Sequence, residues 1–369
     1  MADVSVYVPV HRLTNFMIDA LLKMGVPRAD AVIVAEVLLA ADLCGVRSHG
    51  IAHLKMYHER IKQGLQLPVT NWTIVKETPA TAVIDGGNGM GMVVGYHAMK
   101  IAIEKARNNG MAAVAVRNSS HYGIAGYYTR MAAREGMVGM SFTNAHPSIA
   151  PTFGVEPMLG TNPIAFSAPT DEEFPYTFDA ATSIAPRGKI EVAARAGKPI
   201  PAGWVIKEDG SLATDSSNLI AEMNKSKAAL LPLGGSGELM GGHKGYGLAT
   251  VVEIFSAAFQ DGAFLSELHD HDKAGNIHPL RIGHFFMALN VENFLPVERF
   301  RKTTGSIVRE LRASKKAPGD GGRIYTAGEK AHHIAERVMR EGVEIPPGLQ
   351  KSLNALRTEL NLTGHDLGF

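Results

Sequence analysis

Between residues 10 and 44 apolar positions recur every three or four residues, interrupted once at "GVPRAD". That spacing predicts two helices, the first stopped by Gly25 and the second opened by Pro27. A third helix is expected after "RSHG", ending near Gly64. Beyond it the rhythm changes. "TAVIDG", "MAAVAVRNSS" and "MVGMSFTN" are short runs with strand character, separated by the helix-like stretches "MVVGYHAMKIAIEKARNNG" and "IAGYYTRMAAREG". Strands alternating with helices of this length predict a layered α/β domain. "PIAFSAP" and "YTFDAA" add two strand-like runs around an acidic turn. Residues 197–240, rich in Gly, Pro and Ser, read as long loops, which in compact domains usually carry function. An amphipathic helix "GYGLATVVEIFSAAFQ", the loop "LSELHDHDKAGNIHPLRIG", a strand "HFFMALNVENF" and closing helices follow.

Composition narrows the function classes. The 369 residues are enough for two domains, and 45% hydrophobic with 20% charged residues is ordinary for a globular protein. Lys+Arg number 37 against 36 Asp+Glu. No overall field therefore steers the chain toward nucleic acid or anionic membrane. The one cysteine, Cys44, cannot form an internal disulfide, which points to a reducing compartment. "MADVSVYVPVHRL" lacks the basic-then-apolar order of a signal peptide, and the longest apolar runs are too short to span a bilayer. A cytoplasmic location is expected.

Two glycine-rich stretches invite a nucleotide. "IDGGNGMGMVVG" lies between a strand and a helix, but Val94 stands where a Rossmann loop needs its third glycine. The following strand ends "VRNSSHYG", without the carboxylate that holds a ribose. A Rossmann fold is not expected. "GELMGGHKGYG", residues 237–247, lacks the Lys-Ser/Thr order of a Walker loop. Yet glycines and Lys244 at a helix start suit a phosphate, because free N–H groups and the helix dipole converge there.

Polar clusters supply the candidate chemistry. "HDHDKAGNIH" gathers His269, Asp270, His271, Asp272 and His278, but Ala274 and Arg281 occupy positions where a calcium loop needs oxygen ligands. A solvated surface loop and no catalytic metal are expected. His121 follows a buried strand, where ligands collect in α/β sheets. Asp179 emerges from another apolar strand and would be costly there unless paired. "RSHGIAH", residues 47–53, reads either as a helix start capped by Ser48 or as an acid/base turn.

"RSHGIAHL", "AVRNSSHYGIAGYY", "GTNPIAFSAP", "FDAATS…RGK" and "GGHKGYGLA", in that order, resemble the malate/L-lactate dehydrogenase family, over about residues 10–345. Its relatives include ureidoglycolate, sulfolactate and diketogulonate enzymes and reductases of cyclic imino acids. The resemblance implies an α/β, non-Rossmann, mixed-sheet fold with flanking helices. It implies a homodimer that binds NAD or NADP, with NAD ahead, and acts on a small 2-hydroxy or 2-oxo acid of the malate/oxaloacetate or L-lactate/pyruvate type. Residues 120–295 are then the NAD(P)-binding domain, and 1–119 with 296–369 a helical domain for substrate and dimerisation.

By matching position, His49 is the implied acid/base with Ser48 as its relay, although some members assign that role to the position of His121. The implied cofactor contacts are His121, Tyr122, Gly123, Ile124 and Ala125; Asp179, Ala180 and Ala181; His243 and Lys244; and Gly328 with Glu329. Thr161, Arg187 and Lys189 are implied on the substrate side. His53 replaces an arginine that many relatives carry, and is expected to hold the substrate carboxylate as a histidinium whose grip fades as pH rises. Lys189 favours hydroxy acids over ring imines. The alternatives are a piperideine- or pyrroline-2-carboxylate reductase and a non-catalytic dinucleotide-binding protein.

Overall fold

The computed structural model describes residues 4–271, 274–319 and 322–369. A short strand β1 (Val6–Val8) leads into α1 (Val10–Lys23) and α2 (Arg28–Leu43), the two helices that the apolar spacing predicts. Leu13, Phe16, Met17, Ala20 and Leu21 of α1 and Val34, Val37 and Leu38 of α2 are buried in a common core. The third helix starts later than expected. Two 3₁₀ turns, Arg47–His49 and Ile51–His53, precede α3 (Leu54–Lys62), because Gly50 is extended between them.

The main sheet begins with β2 (Thr73–Glu77) and β3 (Thr81–Asp85). Helix α4 (Gly91–Asn109) carries the chain to β4 (Met111–Ser119), and α5 (Ala125–Arg134) carries it to β5 (Met137–Thr143). Strands β6 (Ile164–Ala168) and β7 (Tyr176–Ala180) complete this run. The segment expected to be loops instead holds short elements. After α6 (Arg187–Arg195) come β8 (Val205–Lys207), α7 (Leu219–Asn224) and β9 (Ala228–Leu230), with β8 and β9 paired. Elements of three to six residues show no period that a sequence window can detect.

Helix α8 (Gly242–Ala257) then leads to β10 (Ile282–Asn290), which enters the middle of the sheet. The strand order is β2-β3-β4-β10-β5-β6-β7. Only β3 and β4 are parallel; every other neighbouring pair is antiparallel. This is the mixed sheet that the resemblance implied, and not a Rossmann sheet. "HFFMALN" is apolar on both faces because both faces are covered. Phe286 packs under α4 and α5 with Ala98, Met99 and Tyr128, while Phe285 packs with Val252 of α8. Helices α9 (Val297–Ala313) and α10 (Glu329–Glu341) follow, and β11 (Val343–Ile345) pairs with β1. Helix α11 (Pro347–Glu359) closes the first core with Leu353 and Leu356. The expected division at residues 119 and 120 runs through the sheet, since β2, β3 and β4 precede it and bond continuously to the strands that follow.

Candidate active site

Asp42, in the last turn of α2, is buried and anchors the segment that follows. Its Oδ2 accepts the Ile51 N–H at 2.9 Å. A Cβ on Gly50 would overlap the same carboxylate, so the chain passes this point only as glycine. Burial pushes the Asp42 pKa up to about 7, against the opposing pull of the Ile51 N–H and Arg47. On this anchor the two 3₁₀ turns bring His49 and His53 together, with ring centroids 5.3 Å apart. His121, two residues beyond β4, meets them from the sheet side, 5.5 Å from His49 and 5.0 Å from His53.

Hydrogen bonds orient two of these rings. Ser48 Oγ lies 2.9 Å from His49 Nδ1. Tyr57 Oη lies 2.7 Å from His121 Nδ1, which also receives the Gly123 N–H at 3.4 Å. Burial lowers the pKa of His49. Burial, then His49 and Arg60, brings His53 down to about 4. His121 falls well below its ordinary value through burial, then its neighbours His53, His49, Arg60 and His284. At neutral pH the cluster is three uncharged imidazoles. The histidinium expected at position 53 is disfavoured here: desolvation outweighs the charge, and His53 offers a neutral hydrogen bond. The three side chains each place a ligand nitrogen within 4.8 Å of the others, close enough for a divalent ion to bridge them.

The glycine-rich loop before α4 is packed rather than open. Gly91 N–H donates to Ser120 Oγ at 2.9 Å, and a Cβ on Gly91 would overlap the backbone of Ser120 and His121. The loop holds the end of β4, and so His121, in place.

The candidate cofactor residues form a second region. Gly123 has a φ of 80°, which turns the chain from His121 into α5. The side chain of Tyr122 points into the core, where it stacks on His284 with centroids 4.4 Å apart and bonds Ser141 at 3.0 Å. Any contact of Tyr122 with a ligand thus falls to its backbone. Ile124 caps α5 and Ala125 opens it. Asp179 has the partner its position demands: Oδ2 accepts Gly126 N–H at 2.7 Å in the first turn of α5. Asp179 is exposed rather than sunk in an apolar strand, and desolvation of the carboxyl by its surroundings raises its pKa. The turn at 327–329 packs on the same strand, with Thr177 N–H donating to Ala327 O at 3.3 Å and Gly328 against Pro175. Glu329 is buried in ion pairs with Arg323 and Arg312.

Thr161 contributes its carbonyl to Thr182 N–H at 2.9 Å, while the adjoining Asn162 ties the turn to α8 by donating to Ala249 O at 2.9 Å and Glu253 Oε2 at 2.8 Å. Glu253 is itself buried, and burial raises its pKa. His243 and Lys244, both exposed, stand at the start of α8 beside a cleft of about 380 Å³. Leu233, Leu248 and the loop from Gly234 to Gly241 line it, with Glu238 as its carboxylate. A cation, a helix start and a glycine-rich wall suit the phosphates of a dinucleotide. A Cβ on Gly245 would overlap Leu233 O, so this loop lies against the helix itself.

Arg187 and Lys189 are placed differently. Arg187 bonds Glu191 at 3.2 Å and Asn224 at 2.6 Å, and Lys189 lies 5.6 Å from the centroid of Trp204. Among the described residues neither bonds or stacks with the histidine cluster. In the loop after α8, His269 Nδ1 lies 3.0 Å from His146 Nε2, and His271 pairs with Asp270 at 2.8 Å. Asp272 lies outside the described residues.

Tyr57, Arg60, Asp42, Asn162 and Glu253 are missing from the sequence reading. Tyr57 and Arg60 lie four and seven residues after His53, a helical spacing that could have pointed to them. The others depend on contacts across the chain that no local pattern carries.

The profile of the malate/L-lactate dehydrogenase family matches residues 8–354. Malate dehydrogenase of Pyrococcus horikoshii is 43% identical over 357 residues, 97% of this chain and 96% of that one. L-sulfolactate dehydrogenase of Methanocaldococcus jannaschii is 39% identical, over 95% and 96%. The crystal structure of malate dehydrogenase from Entamoeba histolytica superposes with a TM-score of 0.94 at 42% identity, covering 99% of this chain and all of that one (100%). The fold and these similarities define an NAD(P)-dependent oxidoreductase of 2-hydroxy acids. The chain belongs to the malate/L-lactate dehydrogenase family.

Proposed function

We propose that this enzyme interconverts malate and oxaloacetate, ahead of L-lactate and pyruvate, with NAD taken ahead of NADP. The convergence of His49, His53 and His121 carries this reading. His49 is the acid/base. Its Nδ1 faces Ser48 Oγ, so when Nδ1 carries the proton, Nε2 is free to take one from the C2 hydroxyl. His121 serves differently. A backbone N–H and the Tyr57 phenol both face its Nδ1, which favours the tautomer protonated at Nε2. That ring then donates to the substrate oxygen rather than abstracting a proton. His53 adds a neutral hydrogen bond to the substrate.

The cofactor, when bound, accepts the hydride from C2. Residues His121 to Ala125 and Asp179 to Ala181 would hold its nicotinamide end, Gly328 and Glu329 its flank, and His243 and Lys244 its phosphates. Thr161 contributes to the substrate side through the backbone of its turn, and Arg187 and Lys189 border it. No catalytic metal is needed, because a near-neutral base and a hydride acceptor complete the chemistry. A homodimer completes this reading, and a cytoplasmic location is supported by the single cysteine. No described helix is long and apolar enough to cross a membrane.

Oxaloacetate, pyruvate, sulfopyruvate, diketogulonate and ring imines assayed with NADH and NADPH test the assignment. Oxaloacetate should give the highest kcat/KM. A ring imine ahead of every oxo acid would overturn it.

A further inference from the structure

Arg60 sits on α3, seven residues after His53 and three after Tyr57, and so on the same side of the helix. Its Nη1 is buried without a hydrogen-bond partner. Among the described residues its side chain forms no hydrogen bond or ion pair. Burial lowers its pKa, with Tyr57 and Asp270 drawing it back up. Asp270 stands beyond ion-pair range, on a loop that docks at the end of α3 through Leu280 N–H and Leu65 O, 3.0 Å apart. A half-buried guanidinium whose acidic neighbour stands beyond ion-pair range is costly, and an arriving anion would offset that cost.

The other candidate cations are engaged elsewhere. Arg47 pairs with Glu344 at 2.6 Å, Arg187 with Glu191, and Lys189 lies over Trp204. The charge of Arg60 bears on His53 and His121, whereas His49 responds to burial. Seven residues of helix span about 10 Å, and a long side chain leans back toward the N-terminus by part of that length. The remainder suits a substrate whose hydroxyl is at His49 and whose second charge lies beyond His53.

We infer that Arg60 receives the distal anion of the substrate, a carboxylate or sulfonate attached two bonds from the reacting carbon. The planar guanidinium can give such a group two parallel hydrogen bonds. This rests on the 2-hydroxy-acid reading above. It also makes Arg60 the residue that separates diacids from lactate-type acids.

The test compares kcat/KM for oxaloacetate, sulfopyruvate and pyruvate in the parent, Arg60→Gln and Arg60→Lys, together with cofactor KM and Tm. In Arg60→Gln the two dianions should lose on the order of 100-fold, and pyruvate less than about threefold. Arg60→Lys should recover part of the loss, with cofactor KM unchanged. An equal loss for pyruvate overturns the inference, because the shared carboxylate or the fold would then explain it; so does no loss for either dianion. If only one dianion loses, Arg60 is selective for that anion. A parent that reduces no oxo acid sinks the functional reading instead. Calorimetry of malate binding then decides on Arg60 alone: weaker binding in Arg60→Gln upholds it, and equal binding overturns it.

Discussion

Tyr57 Oη stands 2.7 Å from His121 Nδ1, joining a residue of α3 to one at the end of β4. The phenol is buried, and burial raises its pKa, so it stays protonated and can donate. With Gly123 N–H facing the same nitrogen, His121 presents N–H to the substrate and His49 remains the base. His49→Ala should therefore lower kcat by roughly two orders of magnitude or more, with cofactor affinity little changed. His121→Ala should weaken substrate binding as well as turnover, and Tyr57→Phe should do so mildly. If His121→Ala abolishes turnover while His49→Ala stays near the parent, the two roles are exchanged.

Oxidation needs a neutral base, and burial lowers the pKa of His49. The kcat/KM for the hydroxy acid should drop in acid only below the ordinary imidazole pKa of about 6.5. Reduction needs the protonated form and should speed up as pH falls. An acid limb for oxidation centred above pH 7 would contradict a desolvated imidazole without a carboxylate partner in this role.

His53, with its pKa brought down to about 4, stays neutral through the assay range. KM for the oxo acid should follow parallel curves in the parent and His53→Arg between about pH 6 and 8.5. A KM that climbs in the parent alone would restore the histidinium grip and would require substrate binding to raise that pKa.

Lys244 and the start of α8 border the glycine-walled cleft. Lys244→Ala should raise KM for the dinucleotide severalfold while sparing substrate KM, and added salt should weaken cofactor binding in the parent. An unchanged cofactor KM removes this lysine from the phosphate site.

Asp42 is buried with a pKa near 7 in the fold, raised from about 3.8. Between about pH 4 and 7 the native state keeps this proton while the unfolded chain releases it, so stability should fall as pH rises and level off above 7. Asp42→Asn keeps an oxygen for Ile51 N–H and should show a smaller fall, read as urea midpoints at pH 5 and 8. Gly50→Ala, whose Cβ meets the same carboxylate, should cost both stability and turnover.

Much of the fold was legible because the relevant forces act locally. Periodicity placed α1, α2, α4 and α5 and the buried strands between them, since each buries one stripe or one run of apolar side chains. Short elements, such as β8, β9 and α7, escaped for want of a period. So did the place of β10, because nothing in "HFFMALN" says which strands will flank it.

The sequence by itself determined the motif order, the family and the residue types that can move a proton or hold a phosphate. The tertiary structure decided what those residues are electrically. His53 looked like a charge and is a neutral imidazole, because packing against His49 and His121 removes the water that would support a proton, and the charge of Arg60 opposes one. Arg60 carried no assignment in the sequence, yet its half-buried guanidinium holds Nη1 away from water without a hydrogen-bond partner. Residue identity follows from the order of the chain. Protonation and free charge follow from desolvation and from neighbours brought in from distant segments, and those exist only once the chain has folded.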